Sequence, residues 1–402
     1  MKENTKLYTM KELLILGFFS CIIGVLVALV EVIFGKGIHY ILGIREQWGA
    51  ILFLGLPLAG LCIVSIFEHW GKISKKGMNL VFEVEQGISD WIPLRLVPFM
   101  IGSTWLTHLF GGSVGREGVA VQIGATISHY VGKHVKIPDA GTIFLVAGIA
   151  AGFSGLFSTP IAAVFFAIEV LVAGTLKYRA LGPCLIASFV ASTVSSQFGI
   201  VRDAFLIDFN FSFDWQMGWR LIGLGLIFGV IGGLFAWTLF HIKHYIHHKI
   251  ENPYLRIFIL GSILALLLFL CGNGRYSNTG ENLIVSAMHG QSIYWFDWLL
   301  KFGFTIFTLS IGFQGGEVTP LFSIGACLGV IIGPLFGLPP VFCAALGYVA
   351  VFGAGTNTLL APIAIGMEIF GYQYFPFFFV VCVIAFLVNR NESIYALQRR
   401  AK

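Results

Sequence analysis

The stretch "GGSVGREGVAVQIGA" (Gly111–Ala125) places an ionisable carboxylate, Glu117, among glycines and directly ahead of a helix-forming run in a very apolar chain. Glycine lets backbone amides come close to a ligand. The first turn of a helix leaves N–H groups unpaired and carries about half a positive charge. The stretch therefore predicts an anion-binding site at the start of a helix, with the Glu117 side chain tethered at its edge.

The composition around this stretch indicates a membrane protein. Of 402 residues, 57% are apolar and 11% are charged, whereas a soluble domain carries roughly 25% charged residues. So few charges cannot cover a water-exposed surface of this size. The apolar run at Leu13–Phe34 reaches the length of about 20 residues that crosses a bilayer. We predict an all-α polytopic membrane protein whose first helix is retained.

Many further apolar runs follow, and several are too short to cross alone. Val119–Val131 would span about 20 Å, against a hydrocarbon core near 30 Å. Short helices interrupted by Gly or Pro are typical of transporter sites near the membrane midplane. The predicted spans after the first are Ala50–Phe67, Ile92–Phe110, Thr142–Gly152, Thr159–Val172, Ala180–Phe198, Trp219–His241, Leu255–Leu270, Trp298–Phe313, Leu321–Phe336, Val341–Phe352 and Tyr374–Val388.

An internal repeat is visible in two places. "GGSVGREGVAVQIGATISHYVG" (Gly111–Gly132) is similar to "GGEVTPLFSIGACLGVIIGPLFG" (Gly315–Gly337), and "TPIAAVFFAIEVL" (Thr159–Leu171) is similar to "APIAIGMEIFG" (Ala361–Gly371). Chance similarity is the alternative, since small residues are common in membrane proteins. We predict two inverted-topology halves with broken, tilted helices.

The predicted domain organisation follows from this repeat. Residues 1–402 form one transmembrane domain, with a first half near 12–198, a second half near 219–390, a tail at 391–402 and no soluble regulatory domain.

The basic residues predict the orientation. The segment "RDAFLIDFNFSFD" (Arg202–Asp214) carries three Asp against one Arg. Cytoplasmic loops carry an excess of Lys and Arg, so both termini are expected in the cytoplasm of a cell-membrane protein. The rule also accounts for the net charge of +5 without a nucleic-acid partner. The basic positions are Lys2, Lys6, Lys11, Lys72, Lys75, Lys76, Arg399, Arg400 and Lys402.

Neither the cysteines nor the histidines predict a metal site. The seven cysteines lie in apolar segments without a CxxC pair, as expected of small buried hydrophobic residues. In "HIKHYIHHKI" (His241–Ile250), His241, His244 and His248 could share a helix face and bind zinc. A basic helix end at the headgroup level is the favoured interpretation. No metal and no cofactor is expected.

Five acids lie within or beside apolar runs: Glu83, Glu117, Glu169, Glu317 and Glu368. A carboxylate at the centre of a membrane helix costs on the order of 3 kcal/mol, and such groups often mark ion or proton pathways. The alternative is a buried carboxylate satisfied by backbone N–H groups. That alternative is favoured for Glu169 and Glu368, and the functional interpretation is favoured for Glu117.

A mechanism follows for Glu117. When an anion enters the helix start, the tethered carboxylate must leave or take up a proton, which links anion movement one way to proton movement the other. "GGEVTPLF" (Gly315–Phe322) offers a second helix start, where Thr319 can cap the helix or donate its hydroxyl to an anion. "KKGMNLVFEVEQG" (Lys75–Gly87) offers a third, opened by Gly77 and Asn79.

These motifs resemble the CLC superfamily of anion channels and anion/proton exchangers. "GREGVAVQ" resembles its second signature, whose glutamate is the external gate, and the match falls on Glu117. In place of the first signature, G-S-G-I-P-E, the chain has "GMNL", so Met78 replaces the central serine and Asn79 the next glycine. "GEVTP" resembles the third signature with Val318 in place of Phe. "NESIYALQ" resembles the tyrosine segment at Tyr395.

The departures resemble the fluoride/proton exchanger branch, often called CLC-F. Val170 stands where most exchangers keep an internal proton glutamate, which puts the usual proton route in doubt. The resemblance implies a CLC-like fold and a homodimer with one pathway per subunit in the lipid bilayer. It also implies that Glu117 and Glu317 act in gating and proton transfer. The anion-binding residues that it implies are Met78, Asn79, Gly115, Arg116, Gly118, Val318, Thr319 and Tyr395.

Other functions stay open on the sequence. The same scaffold serves chloride/proton exchangers and passive anion channels. Met78 could be an anion contact or packing. An intramembrane enzyme built on Ser154 in "GFSGLF" is the least favoured, because the chain has neither a G-x-S-x-G nor an H-E-x-x-H motif.

Overall fold

The computed structural model describes residues 8–201, 204–205, 207, 213–389 and 391–400. Lys2, Lys6, Lys402 and most of the Arg202–Asp214 segment, all used in the predicted orientation, lie outside the described residues. The α-helices are α1 Met10–Trp48, α2 Leu56–Ile66, α3 Met78–Glu85, α4 Leu96–Leu109, α5 Glu117–Gly132, α6 Ala140–Phe157, α7 Pro160–Glu169, α8 Leu181–Gln197, α9 Trp215–Lys249, α10 Pro253–Leu270, α11 Glu281–Met288, α12 Asp297–Ile311, α13 Val318–Ile332, α14 Pro340–Thr356, α15 Leu360–Phe370 and α16 Phe375–Val388.

Helix lengths agree with a broken-helix membrane fold. Helix α1 begins at a capping box in which Thr9 and Glu12 bond each other's backbone amides, and it continues well past the predicted end at Phe34. Shorter apolar helices such as α7 and α15 could not cross alone. Within the described part, the stretches long and apolar enough to cross a membrane are Met10–Glu85, Ala140–Phe157, Tyr178–Gln197, Trp215–Lys249, Pro253–Leu270 and Val318–Phe336.

Several predicted boundaries were wrong. The predicted span Ala50–Phe67 is a 3-10 turn, Gly49–Gly55, followed by α2, because Pro57 lacks an N–H and fits only the first helical turn. Helix α6 runs on to Phe157, beyond the predicted end at Gly152. Helix α11 was not predicted, since it is short and carries polar residues at its start.

The two halves repeat one packing contact. Helix α5 lies against α6 where Gly124 meets Gly148, and α13 lies against α14 where Gly325 meets Gly347. A Cβ atom on any of these glycines would collide with the facing backbone carbonyl. The absence of side chains therefore lets the paired helices come close enough to bury their backbones together.

Two buried glutamates join the halves reciprocally. Glu169, the last residue of α7, accepts hydrogen bonds from the amides of Leu359, Leu360 and Ala361 at the start of α15, at 3.2, 3.1 and 2.8 Å. Glu368 of α15 accepts from Ile161 and Ala162 at the start of α7, at 3.2 and 2.8 Å. Each carboxylate thus satisfies the unpaired amides of a helix start, which is the interpretation favoured for both acids.

The C-terminal segment folds back onto the first half. Strand β1 (Val172–Ala173) pairs in parallel with β2 (Arg399–Arg400). Gln398 donates from Nε2 to the Val170 carbonyl at 2.8 Å, and Gln86 donates to the Leu397 carbonyl at 2.7 Å. These bonds fix the segment that carries Tyr395.

We expect Gly124→Ala to lower the free energy of unfolding by at least about 2 kcal/mol, because the obstruction is a backbone carbonyl that cannot turn away. Thermal unfolding in detergent, followed by size-exclusion chromatography, measures the change. Gly141→Ala in α6 is the matched control, since a Cβ there meets nothing within 4 Å. Equal melting temperatures for the two variants would contradict the role of the glycine contact.

Candidate anion-binding site

The predicted site begins where two glycine loops pair. Gly115 donates to the Gly316 carbonyl at 2.5 Å, and Gly316 donates to the Gly115 carbonyl at 2.7 Å. Helices α5 and α13 each begin two residues later, so both N-termini start at one place. A Cβ on Gly115 would lie 2.8 Å from Pro320 Cδ and 3.1 Å from the Gly316 carbonyl oxygen. Glycine is required for this close approach.

Glu117 is fully buried at this junction. Thr319 donates a hydrogen bond from Oγ1 to Glu117 Oε2. The Arg116 amide donates to Oε2 at 3.3 Å, and Arg116 Nε lies 3.4 Å from Oε1. The carboxylate of one half is therefore held by the first turn of the helix in the other half, where unpaired amides favour negative charge.

A cavity of about 480 Å³ opens beside Gly118, the residue that follows Glu117. Five of the predicted site residues line it. The other five, Gly115, Arg116, Glu117, Val318 and Thr319, lie at or next to the paired loops and do not line it. The structure thus separates a buried part around Glu117 from an adjoining cavity. The lining members are Met78, Asn79, Gly118, Glu317 and Tyr395.

Glu317 and Gly118 connect the two parts. Glu317 precedes α13 as Arg116 precedes α5, so the two residues hold equivalent positions at the paired helix starts. A Cβ on Gly118 would lie 3.5 Å from Glu317 Oε2. A second carboxyl group therefore lies beside the first turn of α5 while it faces the cavity.

The cavity also contains a hydroxyl with no partner. Tyr395 is 5% exposed, and its buried hydroxyl has no hydrogen-bond partner among the described residues. Its ring packs against Phe82 and Phe166, with centroids 5.5 and 6.5 Å apart. Because the ring is held and the hydroxyl is unused, Tyr395 can donate a hydrogen bond to an anion in the cavity.

Met78 and Asn79 form the first turn of α3, after Gly77 with a φ of +54°. Both line the cavity, and Met78 also packs against the hydrophobic core. Met78 therefore packs against the core while part of it reaches the cavity, and an anion contact of Met78 stays a prediction. Its thioether accepts weakly and cannot donate, so the donors in this part of the wall are the Asn79 amide and the backbone.

Two features next to the site were missed by the sequence analysis. The first is an aromatic stack in which the Phe322 ring lies 4.1 Å from Tyr348 and 5.5 Å from Phe157, centroid to centroid. Phe322 belongs to the same helix start as Thr319. An abundance of phenylalanine throughout the chain hid any sequence signal for this stack.

The second is Lys301 of α12, which is fully buried. Its Nζ donates to Ser113 Oγ at 2.9 Å, to the Asn278 carbonyl at 2.6 Å and to the Tyr276 carbonyl at 3.3 Å. Ser113 lies in the loop that leads to Glu117. Lys301 is a single cation in the predicted span Trp298–Phe313. A lone lysine in an apolar span was the sequence signal that could have pointed to it.

Other candidate residues have local roles. Ser154, proposed for an enzyme, is buried and donates from Oγ to the Ser188 carbonyl at 2.9 Å. His241 packs against Trp237 and Phe240, whereas His244 lines the cavity. The described residues contain no group of three or more His, Cys, Asp or Glu arranged for a metal ion.

Comparisons with known proteins agree with this geometry. A family model described as "Voltage gated chloride channel" matches residues 59–390. A "Chloride/fluoride channel protein" of Pseudomonas syringae pv. tomato is 35% identical over 362 residues, which are 88% of this chain and 80% of that protein. The chain therefore belongs to the CLC family of voltage gated chloride channels.

Solved structures extend the comparison. The crystal structure of a CLC-type fluoride/proton antiporter has a TM-score of 0.96 and 48% identity, covering 98% of this chain and 100% of that one. A slow cyanobacterial Cl−/H+ antiporter has a TM-score of 0.81, with 21% identity and coverage of 98% and 97%, and shares the fold. The protein is thus a multi-pass membrane transport protein with the CLC fold, as predicted.

We expect Lys301→Met to destabilise the protein by about 2–4 kcal/mol, because it leaves the Ser113 hydroxyl and two buried carbonyls without a donor. The melting temperature in detergent should fall. Lys249→Met, at an exposed position of α9, removes the same charge and should leave the melting temperature unchanged. An unchanged value for Lys301→Met would mean that the ammonium does not anchor the loop.

Proposed function

We propose that this protein is a fluoride/proton antiporter that exports fluoride from the cytoplasm as protons enter. The observation that carries the proposal is the position of Glu117, whose carboxylate lies at the joint start of α5 and α13, next to a cavity that the following residue, Gly118, lines. The similarity over nearly the whole chain to a CLC-type fluoride/proton antiporter supports the choice of ions.

In the exchange step, the Glu117 carboxylate and a fluoride ion compete for the same hydrogen-bond donors. In the ionised form, the Glu117 carboxylate is bound by Thr319 Oγ1 and the Arg116 amide. A fluoride ion that takes these donors displaces the carboxylate. The displaced carboxylate lies near a second negative charge, and proton uptake removes the repulsion. Return of the protonated side chain carries the proton inwards as fluoride leaves outwards.

Fluoride is a small ion that binds water tightly. A site that removes this water must therefore offer strong hydrogen-bond donors. The site offers the Thr319 and Tyr395 hydroxyls, the Asn79 amide and the free N–H groups of two helix starts. These groups replace the lost water. Met78, which stands where the family signature has a serine, adds no donor that would suit chloride.

Glu317 is proposed as the inner proton carrier. Val170 cannot carry a proton, although it stands where most exchangers have an internal glutamate. Glu317 faces the cavity and lies beside Gly118 in the first turn of α5. A proton released from Glu117 can therefore reach the cavity through this carboxyl group or through water in the cavity.

We further propose a homodimer in the cell membrane, with one pathway per subunit and both termini in the cytoplasm. One transmembrane domain spans residues 1–402, with halves near 12–198 and 219–390 and a tail at 391–402. Lys11, Lys75 and Arg399 support this orientation under the positive-inside rule. Exposed apolar residues on α8 and α16, such as Phe189 and Phe379, support contact with lipid or a second subunit.

A passive channel or a chloride exchanger is the second candidate, because a relative carries the name "Chloride/fluoride channel protein". A channel lets an anion reach electrochemical equilibrium and stop. An exchanger drives it past equilibrium when a proton gradient is supplied. Measurement of both ions in one experiment separates the candidates.

Liposomes that contain the purified protein and fluoride should take up protons while fluoride leaves, as recorded with a fluoride electrode and a pH electrode. Glu117→Gln should abolish the linked proton movement, because an amide cannot carry the proton. Glu251→Gln, at an exposed acid between α9 and α10, is the control and should retain it. Fluoride efflux without proton uptake in the wild type would rule out exchange, and chloride in place of fluoride gives the selectivity.

Thr319→Val keeps the side-chain shape and removes the hydroxyl that binds Glu117. A hydrogen bond to a charged group contributes about 1.5–3 kcal/mol, so fluoride turnover should fall about tenfold or more. Thr193→Val on the exposed face of α8 removes a hydroxyl that bonds only within its helix and should transport normally. Initial rates at saturating fluoride provide the comparison, and wild-type turnover in Thr319→Val would exclude the hydroxyl from the anion site.

A further inference from the structure

The wall of the cavity away from Glu117 is rich in basic residues. They come from the turn before α3, from the end of α9 and from α10, and they surround the space that leads to Glu317. Among the residues that the structure describes, two acids share the cavity with them, Glu68 and Glu317. The basic lining residues are Lys75, Lys76, Lys243, His244, His247 and Arg256.

Three of these six basic residues are already bound. Lys75 Nζ lies 2.7 Å from Glu68 Oε2, and Lys76 Nζ lies 2.7 Å from Glu83 Oε2. Arg256 donates to the carbonyls of Ile250 and Ile311, at 3.1 and 3.3 Å. These contacts hold the three side chains in the wall, and the two lysines are also paired with a carboxylate.

Lys243 differs from the other three. Within the described ranges it has no carboxylate within 4 Å and no hydrogen bond to another residue. It is exposed and lines the cavity. Its ammonium is therefore a positive charge at the cavity that is paired with no carboxylate among the described residues.

The position of Lys243 along α9 explains why this residue lines the cavity. Residues 236, 239, 240, 243, 244 and 247 line the cavity at alternating intervals of three residues and one residue, which is one face of a helix. Lys249 lies off this face, with its Nζ 5.9 Å from the centre of the Tyr245 ring. The same helix thus offers one lysine inside the cavity and one outside it.

An anion in this cavity is repelled by Glu317 and attracted by the basic residues. Glu317 at the inner end repels it when ionised, and burial in low-dielectric walls strengthens that repulsion. A cleft lined by one sign of charge raises the local concentration of the opposite ion. The free ammonium of Lys243 is the group that can offset Glu317 without being tied to a partner.

We propose that Lys243 is the anion-capture residue of the cavity, which draws fluoride from bulk water towards Glu317 and the paired helix starts. The inference rests on the proposed transport of fluoride and adds a specificity-determining residue to it. A lysine suits this role because its compact ammonium on a flexible stem moves with the ion. Permeation also requires that capture be weak enough for the ion to leave.

The test compares Lys243→Gln and Lys243→Met with wild type in liposomes, by initial fluoride flux over a range of fluoride concentrations. Both variants should raise the KM for fluoride about three- to tenfold, as expected for loss of one charge near the ion in a partly aqueous cleft. The maximal rate and the ratio of protons to fluoride should stay unchanged. Lys243→Arg should restore the KM.

Lys249→Gln is the matched control, since it removes the same charge from the same helix outside the cavity. The KM difference between Lys243→Gln and wild type should shrink as an inert salt is raised to 1 M, where the screening length falls to about 3 Å. An unchanged KM, an equal rise in Lys249→Gln, or a rise that salt does not reduce would overturn the proposal. So would a fall in maximal rate with the KM unchanged.

The two hypotheses fail in different ways. Wild-type fluoride flux without linked proton movement rejects antiport but leaves the KM comparison intact. If the proton-to-fluoride ratio is normal but the Lys243 variants leave the KM unchanged, only the capture role of Lys243 is rejected. Lys243 is exposed and unbound, so its replacement is expected to leave folding intact, and a wild-type elution profile on size-exclusion chromatography verifies this for each variant.

Discussion

Two hydrogen bonds between Gly115 and Gly316 bring the starts of α5 and α13 together, and the rest of the site depends on this pairing. Both glycines lack a side chain that would separate the loops. Two sets of unpaired amides then point into one small region inside an apolar protein. Such a region attracts negative charge, and the chain fills it with its own carboxylate, Glu117.

The function of Glu117 depends on its carboxylate being attached to the protein chain. Glu117 is bound by Thr319, which lies about half the chain away in sequence, so the closed state joins the two halves through one carboxylate. A free anion can take the same donors. Because the side chain leaves the site without leaving the protein, the competition is reversible. Protonation of the displaced carboxylate is then the simplest way to relieve the repulsion between two nearby anions.

The polar groups at the contacts between the two halves and at the cavity are of two kinds. Glu169, Glu368 and Lys301 have their hydrogen bonds filled by backbone groups or by Ser113. Tyr395 has a buried hydroxyl with no partner among the described residues, and Lys243 has an ammonium with none. A filled group holds the fold, because an unpaired polar group in the membrane is costly. An unfilled group that faces a cavity is available to an ion.

The sequence by itself determined the membrane class, the short helices, the duplication and the place of Glu117 at a helix start. Each of these depends on composition or on neighbours a few residues apart, which a linear pattern records. The sequence predicted which helices exist better than it predicted where they end, because an end such as Phe157 of α6 depends on packing. Only the tertiary structure decided which groups meet: Thr319 with Glu117, Glu169 with the start of α15, Lys301 with Ser113, and Lys243 with the cavity. These contacts join residues far apart in the chain or depend on which face of a helix meets the cavity, and a local pattern does not encode that.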